Sequence, residues 1–341
     1  MSRAEVLKYD VREYRDEDEA EVLDLLVASL GGGPGGNRTP QFFRWKHLDS
    51  PFGRSLMLLA HQGDRIIGFR SFMRWRFRSG GEELACVRAV DTATHPEHQG
   101  QGVFSRLTLD ALEALRPNTD LVFNTPNGKS GPGYLKMGWR RVCSLPVSVR
   151  VRRPLHFARN LRSLRSDSTA GSPPAIDASP AAEELADTEQ VRALLTRLSY
   201  DDRFTTERSL EYLRWRYGAA PLLDYRALTA KVDGELRGLL IFRVRPRGSL
   251  WESTVAEVLV APTDDRTARS LLRWATRAAA VDHLTIHLPA RSPLTRSSML
   301  TGFVPSPRGM DLFVNPLRGN IQPPPEKFES WALSLGDLEV F

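Results

Sequence analysis

Cysteine is scarce: Cys86 and Cys143 are the only two in 341 residues. That excludes a disulfide framework. Neither has a Cys or His nearby at metal-ligand spacing, so both read as small buried apolar residues. Long apolar runs are missing as well. No stretch approaches the ~18 residues a membrane span needs. The charged segment Met1–Glu21 lacks the apolar core of a signal peptide. A cytoplasmic location and no membrane partner are therefore the default expectation. A strong excess of one charge is also absent: 47 Lys and Arg stand against 41 Asp and Glu, a net charge of +6. This balance suits an anionic ligand such as a nucleotide phosphate. The basic residues are scattered, so a nucleic-acid partner is not expected from charge alone.

The length allows two domains at ~100–200 residues each. The densest basic run, Arg152, Arg153, Arg159, Arg162 and Arg165, leads into Ser166–Pro180, rich in Ser, Pro, Ala and Asp. That composition reads as a solvated linker. The expected division is a first domain over 1–155, a linker over 156–182, and a second domain with a tail over 183–341. Asp16–Leu30 is a helix by spacing, with Leu23, Leu26, Val27 and Leu30 on its inner face. Phe42–Leu48 is a second short helix. Leu56–His61 and Arg65–Phe72 are strands around Gln62-Gly63-Asp64, and Met73–Arg78 extends the sheet edge. Glu83–Thr94 is a long strand, Val103–Leu115 a helix, Leu121–Asn124 a short buried strand. Gly133–Lys136 is a short helix, and Trp139–Val151 a closing strand. The order, helices, a β-meander, then strand–helix–strand, points to an α/β sandwich.

The second half repeats this plan. Arg44-Trp45-Lys46 is echoed by Arg214-Trp215-Arg216. Arg44 to Gly68 and Arg214 to Gly238 both span 24 positions. Pro96 has a counterpart in Pro262, and Met137-Gly138-Trp139 in Thr301-Gly302-Phe303. The offsets are 170, 166 and 164, in one order. A period this long argues for duplication of a whole domain, not a solenoid. Trp45 and Trp215, at equivalent places, suit a shared core role. His283 and His287 fall on one face of the strand-like run Val281–Leu288. Nothing nearby completes a metal site, so both read as structural.

The segment most informative about chemistry is Val90-Asp91-Thr92-Ala93-Thr94-His95-Pro96-Glu97-His98-Gln99-Gly100-Gln101-Gly102-Val103-Phe104. A strand ends, two glycines follow, and a helix begins. Glycines there let the backbone turn tightly and approach a ligand. The free N–H groups of the helix start make an anion site. A dinucleotide fingerprint is excluded, because Ser105 stands where its third glycine belongs. A P-loop ending at Gly128-Lys129-Ser130 is excluded, because Phe123 stands where its first glycine belongs. Downstream lies Asn127-Gly128-Lys129-Ser130-Gly131-Pro132-Gly133-Tyr134-Leu135-Lys136-Met137-Gly138-Trp139.

Those two segments resemble the GNAT (general N-acetyltransferase) superfamily. Its cofactor motif, Arg/Gln-x-x-Gly-x-Gly/Ala, reads here Glu97-His98-Gln99-Gly100-Gln101-Gly102, with Glu97 departing from it. Its later Asn, Tyr and Gly-aromatic spacing is met by Asn127, Tyr134, Gly138 and Trp139. The resemblance spans residues 10–150 well and 185–315 by plan alone, and it implies an α/β fold of two tandem GNAT-like domains, each a mixed, mostly antiparallel sheet flanked by helices. It implies acetyl-CoA as cosubstrate, held by Ala93, Thr94, Gln99, Gly100, Gln101, Gly102, Val103, Asn127 and Ser130. It implies Tyr134 as the acid that protonates the leaving thiolate, with oxyanion donors on a splayed strand at Asp91–Thr94. Asp91 would orient the amine. The base stays open among Asp91, His95 and Glu97. No metal is implied. In the second half Thr263-Asp264-Asp265-Arg266 replaces the glycine turn, and its carboxylates would repel a pyrophosphate. A tandem pair with the active copy first is similar to the enhanced-intracellular-survival type. There the terminal carboxylate, here that of Phe341, reaches the site.

The function so implied is transfer of an acetyl group to a primary amine by direct attack in a ternary complex. Acceptors in view are an amino sugar, an aminoglycoside-like compound, a polyamine or a protein lysine, bound in the cleft between the two domains. Two alternatives stay open: a non-catalytic acyl-CoA-binding regulator and an aminoacyl-tRNA-dependent peptidyltransferase. A homo-oligomer is compatible with all three.

Overall fold

A computed structural model describes residues 9–31, 38–165, 170–198 and 201–338. The first half runs β1 (Asp10–Glu13), α1 (Glu19–Leu30), α2 (Pro40–His47), β2 (Leu56–Gln62), β3 (Arg65–Ser79), β4 (Glu82–Thr94), α3 (Val103–Leu115), β5 (Leu121–Asn124), α4 (Gly131–Lys136) and β6 (Arg140–Val151). After α5 (Pro154–Asn160), the second half runs β7 (Ser179–Pro180), α6 (Ala181–Glu184), α7 (Thr188–Thr196), β8 (Thr205–Thr206), α8 (Leu210–Leu213), β9 (Tyr225–Val232), β10 (Glu235–Arg247), β11 (Leu250–Val260), α9 (Asp265–Ala275), β12 (His283–His287), α10 (Leu294–Leu300), β13 (Val304–Pro316) and α11 (Leu335–Leu338).

Local chemistry explains the boundaries. Asp18, just ahead of α1, receives both Arg12 guanidinium nitrogens at 2.7 Å and the Arg15 N–H at 2.8 Å. Thr39 caps α2 by accepting from the Phe42 N–H at 3.2 Å. In α1 the buried residues are Val22, Leu23, Leu25 and Leu26, whereas Val27 and Leu30 are exposed. The inner face expected from spacing is therefore corrected. The helix lies on β3 and β4, and the ridge of residues 22, 25 and 26 meets them.

Among the described residues all strands join one 13-stranded sheet, ordered β1-β2-β3-β4-β5-β13-β6-β12-β11-β10-β9-β7, with β8 on β3. β4 and β5 are parallel, as are β11 and β12; every other pairing is antiparallel. The closing strands are exchanged. β13 pairs with β5 of the first half, and β6 pairs with β12 of the second. β6 and β13 then pair with each other at the centre. The separate sheets that local patterning implies are thus one, because each parallel strand takes its outer partner from the other half.

One aromatic core under this sheet serves both halves, including Trp45, Trp75, Phe77, Phe123, Tyr212, Trp215 and Trp331. At its centre the Trp45 and Trp215 rings stack with centroids 5.3 Å apart. Each indole N–H donates to the other tryptophan's carbonyl at 2.8 Å. Further hydrophobic clusters lie under α3 and α9. Gly68 and Gly238, matched in the repeat, do the same job there. A Cβ on Gly68 would fall 2.5 Å from Val103 Cγ1 of α3, and one on Gly238 2.7 Å from Thr267 Cγ2 of α9.

Each of these glycines thus admits a helix onto the sheet. Gly68→Ala and Gly238→Ala should each destabilise by about 1–3 kcal/mol through overpacking, read as a lower urea midpoint. An unchanged midpoint would contradict this close approach.

Candidate active site

The turn before α3 is shaped by Gly100 (φ 76°) and Gly102 (φ 81°), both in the left-handed region that favours glycine. Among the described residues, a Cβ at either would meet nothing within 4 Å. These glycines therefore serve backbone conformation, and the space beside them is open. The first helical bond runs from Arg106 N–H to Gly102 O at 2.9 Å. The N–H groups of Val103, Phe104 and Ser105 precede it and have no intrahelical partner. No side chain among the described residues caps this helix. Gln99 and Gln101 turn back onto the Thr94 and Glu97 carbonyls at 3.5 and 3.3 Å. Glu97 lies near Arg65 at 3.5 Å. His95, Glu97 and His98 bring possible ligand atoms within 4.8 Å of one another, but Arg65 Nη2 already sits 2.7 Å from His95 Nε2.

β4 leaves β5 beyond the pair Arg88–Phe123, so on that side Ala89–Thr94 has no strand partner among the described residues. On its other side Ala93 and Thr94 pair with Phe69 and Gly68. The ladder skips opposite Val90 and Asp91, between Arg70 and Phe72. The Ala93 side chain packs in the cluster beneath α1, which leaves its backbone as the group able to meet a ligand. In the loop after β5, Asn127 Oδ1 accepts from the Lys129 and Ser130 N–H groups, both at 3.0 Å, and lies 3.2 Å from Ser130 Oγ. Asn127 thereby builds the turn into α4. Its Nδ2 makes no hydrogen bond among the described residues.

Tyr134 of α4 is buried against Phe104 and Trp139. Its oxygen accepts from Arg70 Nη2 at 2.9 Å, while Arg70 Nη1 donates to the Val90 carbonyl at 2.9 Å. Arg70 is fully buried and lies 4.4 Å from the Phe72 ring centroid. It ties Tyr134 to the β4 bulge and leaves the phenol proton free to donate. Sequence reading missed Arg70, which stands 64 positions before its tyrosine.

Asp91 is held by three basic side chains. Lys46 Nζ lies at 2.7 Å, His47 Nε2 at 3.0 Å and Arg38 at 3.7 Å. Burial opposes ionisation of Asp91, but these neighbours outweigh it and hold the carboxyl well below its usual range. Burial lowers Lys46, and it lowers His47 despite Asp91. A carboxylate so firmly ionised is a weak base and a good electrostatic anchor. Asp91, Lys46, Arg88, Val90, Thr125 and Leu338 line a cavity of about 190 Å³. The tail reaches it through α11: Arg88 donates to the carbonyls of Asp337 and Leu338. Phe341 lies outside the described residues.

Residues 10–142 match the family described as acetyltransferase (GNAT) domain. The chain therefore carries a GNAT acetyltransferase domain. Its fold is shared with solved structures over 91% of its length. One is a probable N-acyltransferase from Enterococcus faecalis V583, at 12% identity, 73% coverage of that chain and a TM-score of 0.64. Another is a GCN5-related N-acetyltransferase from Anabaena variabilis, at 10% identity, 73% coverage and 0.62. A third is Eis1 from Mycobacterium abscessus, at 16% identity, 74% coverage and 0.56. No curated protein matches the chain.

In the GNAT domain the uncapped start of α3 and the open space at Gly100 and Gly102 fit a pyrophosphate. The second half differs at the corresponding helix. Asp264 caps α9, accepting from Thr267 N–H at 3.1 Å and from Thr267 Oγ1 at 2.7 Å. His283 Nε2 lies 3.0 Å from Glu252, and His287 Nδ1 donates to the Pro146 carbonyl at 2.6 Å.

His47 and His287 are both buried, and burial lowers both pKa values. Depressed histidines take up protons on unfolding. Stability should therefore fall as pH drops below about 6.5, by up to about 1.4 kcal/mol per pH unit for each histidine. Urea midpoints at pH 7.5 and 5.5 test this. A flat profile would contradict buried neutral rings.

Proposed function

We infer that the protein transfers an acetyl group from acetyl-CoA to a primary amine, and that the first half performs the reaction. The observation that carries this reading is the pairing of an open, uncapped helix start with a buried tyrosine beside an unpartnered strand edge. The N–H groups around Gly100–Ser105 would hold the phosphates, with Gln99 and Gln101 shaping the turn. Ala93 and Thr94 would offer backbone groups to the acyl arm, and Asn127 its Nδ2, with Ser130 fixing that loop. Acyl-CoA would supply the thioester carbonyl, and CoA would leave as the thiol once the C–S bond breaks. Tyr134 would hold at its oxygen the proton for that sulfur. Arg70 keeps the Tyr134 oxygen in place. Asp91 would draw the amine toward the small cavity and orient it, while the proton lost by the amine leaves to water. A cavity of about 190 Å³ suits an amine-bearing arm, from a small molecule or a lysine side chain.

The two halves are read as copies of one domain. Supporting this are the matched glycines on β3 and β10, the reciprocal tryptophans, and parallel steps at the same place in each half. The second copy, its helix start occupied by Asp264, should not take acyl-CoA.

Isothermal calorimetry should show acetyl-CoA binding to wild type and none to Gly102→Trp. Tyr134→Phe should lower kcat by about 10²–10³-fold with little change in acetyl-CoA affinity. No binding by wild type would sink the reading and turn attention to tRNA.

A further inference from the structure

The second half holds a larger cavity, of about 340 Å³, between the diverging ends of β11 and β12. It is the counterpart of the Asp91 cavity. Gly68 faces Thr94, and Gly238 faces Val260. Three residues earlier on each strand stand Asp91 and Glu257. Both ladders skip at this step, between Arg70 and Phe72 and between Ile241 and Phe242. His47, two residues after Trp45, meets Asp91; Tyr217, two residues after Trp215, donates to Glu257 at 2.9 Å. Arg208 and Ser334 also meet Glu257, each at 2.9 Å. The transfer chemistry is missing. Asp264 fills the helix start, and Ser298 stands four residues before Gly302 as Tyr134 does before Gly138.

What remains is a lined cavity with an unused acceptor. His287, 3% exposed, lines it. Its Nδ1 lies 2.6 Å from the Pro146 carbonyl, an acceptor, so Nδ1 carries the proton. Its Nε2 is buried and has no hydrogen-bond partner among the described residues. Leaving such a lone pair dry costs free energy that a ligand donor would recover. Burial keeps the ring neutral near pH 7, as an acceptor. Leu259, Leu288, Leu294 and Leu333 supply apolar wall. Arg291, also in the lining, is exposed, adopts φ +56°, and makes no ion pair among the described residues. Non-glycine residues at such φ cost energy and cluster at ligand sites.

We propose that this cavity is a second binding site, for a small amphipathic anion. Its ligand has an apolar body, an N–H or O–H that donates to His287 Nε2, and a carboxylate or sulfonate that pairs with Arg291. 8-Anilino-1-naphthalenesulfonate carries all three features and serves as the probe. It is titrated by fluorescence into the full chain, with circular dichroism reporting the fold. Saturable binding at one probe per chain is expected, unchanged by saturating acetyl-CoA. Arg291→Ala should weaken it about fivefold and His287→Phe about tenfold. Should His287→Phe fail to fold, the ¹⁵N shift of wild-type His287 Nε2 decides, and should move on probe addition. No saturable binding, displacement by acetyl-CoA, or wild-type affinity in either folded variant would overturn the proposal, as would a ¹⁵N shift that does not move.

Discussion

A parallel strand beside a helical crossover needs a partner on its outer edge, and here neither half of the chain provides its own. β5 takes β13, β12 takes β6, and the two exchanged strands pair at the middle of the sheet. An unpaired edge there would expose a row of backbone groups and invite aggregation. The exchange removes both edges at once and couples the halves through a continuous ladder. The reciprocal hydrogen bonds of Trp45 and Trp215 lie beneath it and couple them through side chains. Burying an indole N–H without a partner is costly, so each tryptophan depends on the backbone of the other half.

That frame positions the site. β4 can diverge from β5 beyond Arg88 because β5 is held on its far side by β13. The divergence leaves the Asp91 cavity beside Thr125, where the loop that leads into α4 and Tyr134 begins. The tail closes one wall, with Arg88 reaching its carbonyls and Arg208 pairing with Asp337 at 2.9 Å. A buried guanidinium is stable only with such partners. The tail is thereby fixed to both halves, and Leu338 lies beside Asp91 in the same cavity.

Much of this was legible in the sequence. The strand–glycine–helix turn and the short helix that carries Tyr134 are local signals and read correctly as turn and helix. Gly68 and Gly238 were legible only as matched repeat positions, and their packing against α3 and α9 was not. Other features were not legible. Lys46 and His47 meet Asp91 from 45 and 44 positions away, and helical periodicity marks them only as helix residues. The strand exchange leaves no local trace, because β6 and β13 have the same pattern whichever neighbour they take. In α1 the spacing was right but the rotation was not. Val27 and Leu30 face outward, since the sheet meets the helix one ridge away.

The central claim is one working acyl-CoA site per chain, in the first half, with the equivalent helix start in the second half closed by its own carboxylate. Hydrogen–deuterium exchange with and without acetyl-CoA tests it most directly. The account requires added protection at residues 99–105 and 125–134, with none at 262–267. Protection at 262–267, or no protection in the first half, would contradict it.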